Sequence, residues 1–87
     1  MKLYLNCNGE FGWAQVEVLD DAMEPIPGFT RTDCDLIRGN SVSHEVRWRN
    51  NPDVRSLWNR PVRLQIHLTD CWLYSFRFGY SHTATRQ

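Results

Sequence analysis

Alternation of apolar and polar side chains with a period of two constrains the fold of this 87-residue chain more than any other feature. In residues 61–68, PVRLQIHL, aliphatic side chains alternate with polar ones, which is the pattern of a strand with one buried and one solvated face. The same period recurs in GWAQVEVLD (12–20), VSHEVRWR (42–49) and CWLYSFRF (71–78), and KLYLNC (2–7) is a short first strand. Because no 3.6-residue stripe competes with this period, the chain is predicted to be all-β and antiparallel.

The phase of each run predicts which side chains form the core. The last run carries its largest rings on one face, so Trp72 and the aromatic residues after it are expected to be buried. Val42 is expected on the same side of its strand as Val46. Asp70, between the last two runs, is expected to form a tight hairpin turn that makes those strands neighbours. The predicted core comprises Val16, Val18, Val46, Trp48, Leu64, Ile66, Tyr74, Phe76 and Phe78.

Two segments without this period are predicted to be loops. Residues 25–41 are rich in turn formers yet contain isolated apolar residues, so they are expected to form an ordered loop that covers the core. Residues 50–60 carry Asn-Asn-Pro turn signals and are expected to form a loop or single helical turn anchored by Leu57. Residues 79–87 show no pattern and are predicted to be a flexible tail.

Composition excludes several classes of function. Ten basic residues balance ten acidic ones, so the chain has no long-range field to gather nucleic acid or an anionic membrane. The sequence shows neither a signal peptide nor a membrane segment, which leaves the compartment unknown. Three cysteines, Cys7, Cys34 and Cys71, are expected to stay reduced, although any two could pair and their spacing does not establish the geometry.

No residue pattern indicates an enzyme or a cofactor site. Glu10, Glu17 and Glu45 show no sign of the paired carboxyls of glycoside hydrolysis. The three histidines and Cys34 have neither zinc spacing nor the arrangement of a nucleophile with its base. Asp33 and Asp35 match no defined calcium loop, so Asp33 is expected to be a turn residue. No catalytic residue, metal site or cofactor is therefore predicted.

Two tryptophans are the candidates for a carbohydrate site. Trp13 is out of phase with its apolar neighbours, and Trp58 lies in a turn-rich segment, so both are expected to be exposed. Sugar rings stack on exposed aromatic planes while polar groups bind their hydroxyls. The competing interpretation is that both rings cover apolar surface or face a partner domain.

Eight short motifs follow one another in an order and spacing that resemble a known C-terminal module: VEVLD, PIPGF, DC, IRGNS, VRW, DVRSL, RPVRL and LYSFRF. In many bacterial proteins this β-sandwich module follows five-bladed-propeller, glycoside-hydrolase-like domains, and it is similar in outline to the sandwiches of sucrose- and fructan-cleaving enzymes. The resemblance spans about residues 3–78. It implies a non-catalytic role, because the catalytic carboxylates of the family belong to the propeller.

The sequence departs from the family pattern at Asn40, at residues 23–24 and at residues 58–59. The familiar module also begins with a further strand before LYLN. We therefore expect a jelly-roll-like antiparallel β-sandwich, a single domain over residues 1–78 that lacks this first strand. Such a loss exposes a sheet edge or a groove for docking or self-association.

Three functions are expected from these observations. The first is an accessory module that packs on or stabilises a glycoside-hydrolase-like propeller domain. The second is an independent carbohydrate-binding module that uses Trp13 and Trp58. The third is a structural domain that assembles with another copy of itself through the exposed edge.

Overall fold

A long strand, β1 (Lys2–Asp20), forms the centre of the fold, and every other strand pairs with it. The computed structural model describes residues 1–79, so the predicted tail lies outside the described residues except for Gly79. The other strands are β2 (Ile37–Glu45), β3 (Val62–Thr69) and β4 (Trp72–Gly79), and a 3₁₀ turn covers Arg55–Leu57. All three pairings are antiparallel. The prediction of an all-β antiparallel fold is confirmed. Within residues 1–79 the strands form one four-stranded sheet, and loops take the place of the second sheet of the predicted jelly-roll-like sandwich.

The two edges of β1 carry different strands. Tyr4 pairs with Glu45 of β2 and with Arg77 of β4, so these two strands flank the first half of β1 from opposite sides. The second half of β1 pairs with β3, where Val16 lies opposite Ile66. The two runs predicted as separate strands at residues 2–7 and 12–20 are therefore one strand, interrupted by irregular pairing between Gly9 and Ala14.

The predicted hairpin at Asp70 is wrong. β3 runs antiparallel to β1 from Asp20 back to Trp13, and β4 continues in the same direction from Asn8 to Lys2. Only residues 70 and 71 separate the two strands, so β3 and β4 form one broken strand along a single edge of β1. A hairpin would pair β3 with β4, whereas both strands pair with β1.

A true tight hairpin occurs instead at Arg49 and Asn50. Both residues have positive φ, 51° and 66°. Trp48 and Asn51, on either side of them, exchange two backbone hydrogen bonds of 2.9 and 3.0 Å. This turn folds the chain back over the sheet and holds Trp48 in the core.

One face of the sheet is buried under loops. On β1 the buried side chains are Leu3, Leu5, Cys7, Ala14, Val16 and Val18. The layer packed on them consists of residues 21–36 and 46–61, called here the covering loops. Their buried side chains are Ile26, Cys34, Val46, Trp48, Val54 and Leu57. The prediction that Leu57 anchors its segment is confirmed. The predicted cover over residues 25–41 is confirmed only as far as residue 36, where Leu36 is exposed, because residues 37–41 pair with β1 as the first part of β2.

The predicted core is correct for the centre of the sheet and wrong for its edges. Val16, Val18, Val46 and Trp48 are buried, and Leu64 and Ile66 pack against them while partly exposed. Tyr74, Phe76 and Phe78, expected in the core, are exposed, as are Trp72 and Val42. Phe76 and Phe78 keep the inward phase, but the covering loops approach β4 only at its C-terminal end, beside Phe78. Trp72 is exposed for another reason, since a register shift in β4 places it opposite Asn8, on the outer face of the sheet.

Candidate docking surface

The broken edge strand carries a row of exposed apolar side chains. Phe76 lies opposite Leu5 and Phe78 opposite Leu3, so these two rings point to the same side of the sheet as the core. They extend past the covering loops and remain in solvent. We call the row the apolar edge; its members are 41% to 65% exposed and comprise Leu68, Tyr74, Phe76 and Phe78. Trp72 is also exposed, but it lies opposite Asn8 and so on the outer face of the sheet, because the pairing of β4 with β1 shifts register between Asn6 and Cys7.

The backbone of β4 is also available on one side. Within residues 1–79, β1 is the only strand that pairs with β4. An edge strand with free N–H and C=O groups can add a strand from a partner, and proteins usually prevent this with lysine, proline or inward charges. The sequence of β4, WLYSFRFG, contains a single charge and no proline.

That single charge, Arg77, is held away from the free side of β4. Its guanidinium lies over the ring of Tyr4, 4.4 Å from the ring centroid, and one of its nitrogens donates to the hydroxyl of Ser43 at 3.0 Å. Tyr4 belongs to β1 and Ser43 to β2, and both strands lie on the paired side of β4, opposite to its free edge. Arg77 therefore covers the outer face of the sheet and leaves the apolar edge uncharged.

A groove of about 370 Å³ continues the apolar edge at its C-terminal end. Phe78 forms one wall, and Val54, Leu57 and Val62 contribute aliphatic side chains. The exposed ring of Trp58 lies at the same groove. The lining is completed by Met1, Asn59, Arg60 and Pro61. Its volume falls within the range of about 300–1,000 Å³ that is usual for ligand pockets.

The structure does not bring the two candidate tryptophans together. Trp13 neighbours the buried Ala14 along β1, so it points to the outer face, where the guanidinium of Arg38 lies 5.4 Å from its ring centroid. It is half-buried there and not exposed as predicted. Trp58 belongs to the covering loops on the opposite side and lines the groove. Any stacking of a sugar on these rings would therefore use two separate surfaces.

Charged side chains form local pairs away from the apolar edge. Glu45 accepts hydrogen bonds from Lys2 at 2.9 Å and from Arg47 at 2.7 Å, and the Lys2 bond contributes most to holding the pKa of Glu45 below its ordinary value. Arg49 donates to Asp33 at 2.6 Å and lowers the pKa of that carboxyl, with a further hydrogen bond from Thr30. These contacts agree with the prediction of a turn role for Asp33.

Two of the residues considered for catalysis, His44 and Cys34, have hydrogen-bond partners, whereas Nε2 of His67 is buried without one within residues 1–79. A ring nitrogen of His44 lies 3.0 Å from the carbonyl oxygen of Gly39, and Nε2 of His67 lies 3.8 Å from a carboxylate oxygen of Glu17. The sulfur of Cys34 is buried and accepts a hydrogen bond from the backbone N–H of Val16 at 3.2 Å, and burial raises its pKa. His82 lies outside the described residues. Across residues 1–79, no three potential ligands converge as a metal site requires.

Sequence reasoning missed the apolar edge because it assigned the same side chains to the core. Alternation is the same in a covered and an uncovered strand, so the pattern of CWLYSFRF holds no signal that separates the two. No helix among residues 1–79 has the length and apolar character needed to cross a membrane.

No protein-family model, curated protein or solved structure matches this chain. The resemblance to a module that follows a propeller therefore remains a prediction.

Proposed function

We propose that this chain is a non-catalytic docking module that packs through its apolar edge on a protein partner. The observation that carries the proposal is that Phe76 and Phe78 lie on the core side of the sheet and yet remain 50% and 41% exposed in the part of the chain that the structure describes. Exposed aromatic rings of this kind are typical anchors of protein interfaces. The free side of β4 adds the possibility of strand pairing with that partner.

The partner that the sequence resemblance implies is a glycoside-hydrolase-like propeller domain. In such a pair the module would stabilise the propeller or fix its orientation, and the chemistry would belong to the partner. A second copy of this chain is the competing occupant of the same surface. If a second copy is the occupant, the mass of the isolated chain in solution should fall on dilution. If a propeller domain is the occupant, the isolated chain should have the mass of a monomer at every concentration.

Replacing Phe76 and Phe78 together with threonine should abolish docking while leaving the chain folded. Interface anchors of this type cost about 2 kcal/mol or more when truncated, so we expect at least a tenfold loss of affinity. The measurement is calorimetric titration of the chain with a five-bladed-propeller, glycoside-hydrolase-like domain encoded in the same genome. Phe11→Thr is the matched control, since Phe11 is exposed at the irregular part of β1 and lies outside the apolar edge.

Light scattering across a dilution series completes this test. A mass that rises with concentration, and falls back in the double variant but not in Phe11→Thr, would assign the surface to a second copy. Equal propeller affinity in all three proteins would refute the role of the apolar edge. A monomer at every concentration that binds no propeller would refute the proposal as a whole.

Carbohydrate binding is a second candidate, favoured by the exposed ring of Trp58 in the groove. A pyranose could stack on this ring while Asn59 and Arg60 bind its hydroxyls. If so, an oligosaccharide panel should give saturable calorimetric binding that Trp58→Ala abolishes and Trp13→Ala preserves. Loss in Trp13→Ala alone would move the site to the outer face, and absence of saturable heat with every sugar would exclude this candidate.

A further inference from the structure

Two of the three cysteines meet across neighbouring strands. Cys7 is a fully buried residue of β1, and Cys71 stands immediately before β4 and is half-buried. The register pairs Cys7 with Leu73 and Asn8 with Trp72. Continuing that register places Cys71 opposite Gly9, one diagonal step from Cys7.

The sulfur of Cys71 lies on the same face of the sheet as Cys7. A Cβ atom at Gly9 would lie 3.5 Å from Cys71 Sγ, so this sulfur occupies the space above Gly9. Cys7 and Gly9 are two residues apart on one strand and therefore share a face. The absence of a side chain at Gly9 leaves room for the two thiols to approach each other.

The surroundings of Cys7 disfavour its thiolate. Its pKa is raised to about 11, chiefly by burial and then by the neighbouring thiol of Cys71. Cys34 is remote from this pair, since its sulfur bonds the N–H of Val16 in the second half of β1.

We propose that Cys7 and Cys71 are a dithiol site that small disulfides such as oxidised glutathione convert to a reversible disulfide. The more accessible thiolate of Cys71 attacks one sulfur of the small disulfide, which breaks its S–S bond, forms a mixed disulfide and releases one glutathione thiolate. Cys7 then attacks the Cys71 sulfur and expels the second glutathione, and the proton of Cys7 passes to a released thiolate. Two protein thiols are oxidised and one external disulfide is reduced to two thiols.

The bond would fasten the start of β4 to the centre of the sheet. It would close a chain segment that contains β2, the covering loops and β3, so it would restrict the unfolded chain strongly. The same bond would fix the break between β3 and β4 and with it the placement of the apolar edge. Oxidation would therefore stabilise the fold whether or not that edge docks.

The test is to incubate the full chain with oxidised glutathione and identify the products by intact mass and by peptide mapping after alkylation. We expect loss of two hydrogens, a Cys7–Cys71 peptide, an alkylated Cys34 and a rise in Tm on the order of 10 °C. Addition of reduced dithiothreitol should reverse the mass loss, the Cys7–Cys71 linkage and the rise in Tm, while Cys34 remains open to alkylation throughout. Cys71→Ser should show neither the mass loss nor the rise in Tm, whereas Cys34→Ala should retain both.

Three outcomes would overturn the proposal. The first is a stable glutathione adduct on Cys71 without closure, which would mean that Cys7 cannot reach it. The second is a linkage that includes Cys34. The third is a Cys7–Cys71 bond that lowers Tm, which would mean that the native sheet must distort to form it.

Discussion

Gly12→Ala should destabilise the fold by more than about 4 kcal/mol, which is a large share of the stability of a small domain. A Cβ atom at this position would lie 1.8 Å from the carbonyl oxygen of Thr69 and 2.8 Å from that of Asp70. Both contacts are with backbone, so no side chain can rotate away to relieve them. The edge strand would have to leave β1 at the break between β3 and β4. Urea unfolding followed by far-ultraviolet circular dichroism measures the loss.

The matched control for this substitution is Gly79→Ala. A Cβ atom there would meet its nearest neighbour, a guanidinium nitrogen of Arg77, at an ordinary 3.7 Å. We expect a change within about 0.5 kcal/mol for this variant. Similar urea midpoints for Gly12→Ala and the unmodified chain would contradict the close approach of β1 to Thr69, and with it the placement of β3 and β4 on one edge.

The apolar edge depends on this close approach. The irregular segment of β1, between Gly9 and Ala14, lies beside the break between β3 and β4. On one side of this break β1 pairs with β3, and on the other side it pairs with β4. The bend at Asp70 lets one edge strand follow a β1 of 19 residues. A substitution that separates Gly12 from the backbone of Thr69 should therefore weaken docking as well as lower the stability of the fold.

Alternation of apolar and polar side chains predicted the strands well, because it shows which segments have one buried face and one exposed face. The run of Val62, Leu64 and Ile66 forms β3 as expected, and Ala14, Val16 and Val18 point inward. Local pattern could not predict chain direction. Asp70 bends the chain without reversing it, while the reversal at Arg49 and Asn50 lacks the Asn-Gly or Asp-Gly signal that identifies such turns.

The candidate site was beyond prediction from alternation alone, because exposure depends on what lies above a strand. Phe76 and Phe78 occupy inward positions and would be core in a fold whose covering layer extended further. Val42 is exposed for the same reason at the other edge, on β2. Trp58 was correctly predicted to be exposed, since a large ring that follows a buried anchor, Leu57, in a short turn has to point outward.

Trp48 should be the most costly aromatic residue to remove. Its ring is almost fully buried, its indole N–H donates to the carbonyl oxygen of Val16 at 2.9 Å, and it meets Phe29 edge to face with centroids 5.2 Å apart. Trp48→Ala should cost about 3–5 kcal/mol through the cavity it leaves. Trp48→Phe should retain part of the packing and cost about 1–3 kcal/mol, because the Val16 carbonyl loses a buried donor.

Trp72 is the control for Trp48, because alternation alone predicts that both tryptophans are buried in the core. Trp72 is mostly exposed on β4, so Trp72→Ala should cost about 1 kcal/mol or less. The measurement is again the free energy of unfolding in urea, with the slope checked for a common two-state transition. Equal costs for the two alanine variants would contradict the exposure of Trp72 on β4. A difference of about 2 kcal/mol or more is the expected result, because only the Trp48 ring is enclosed by the core.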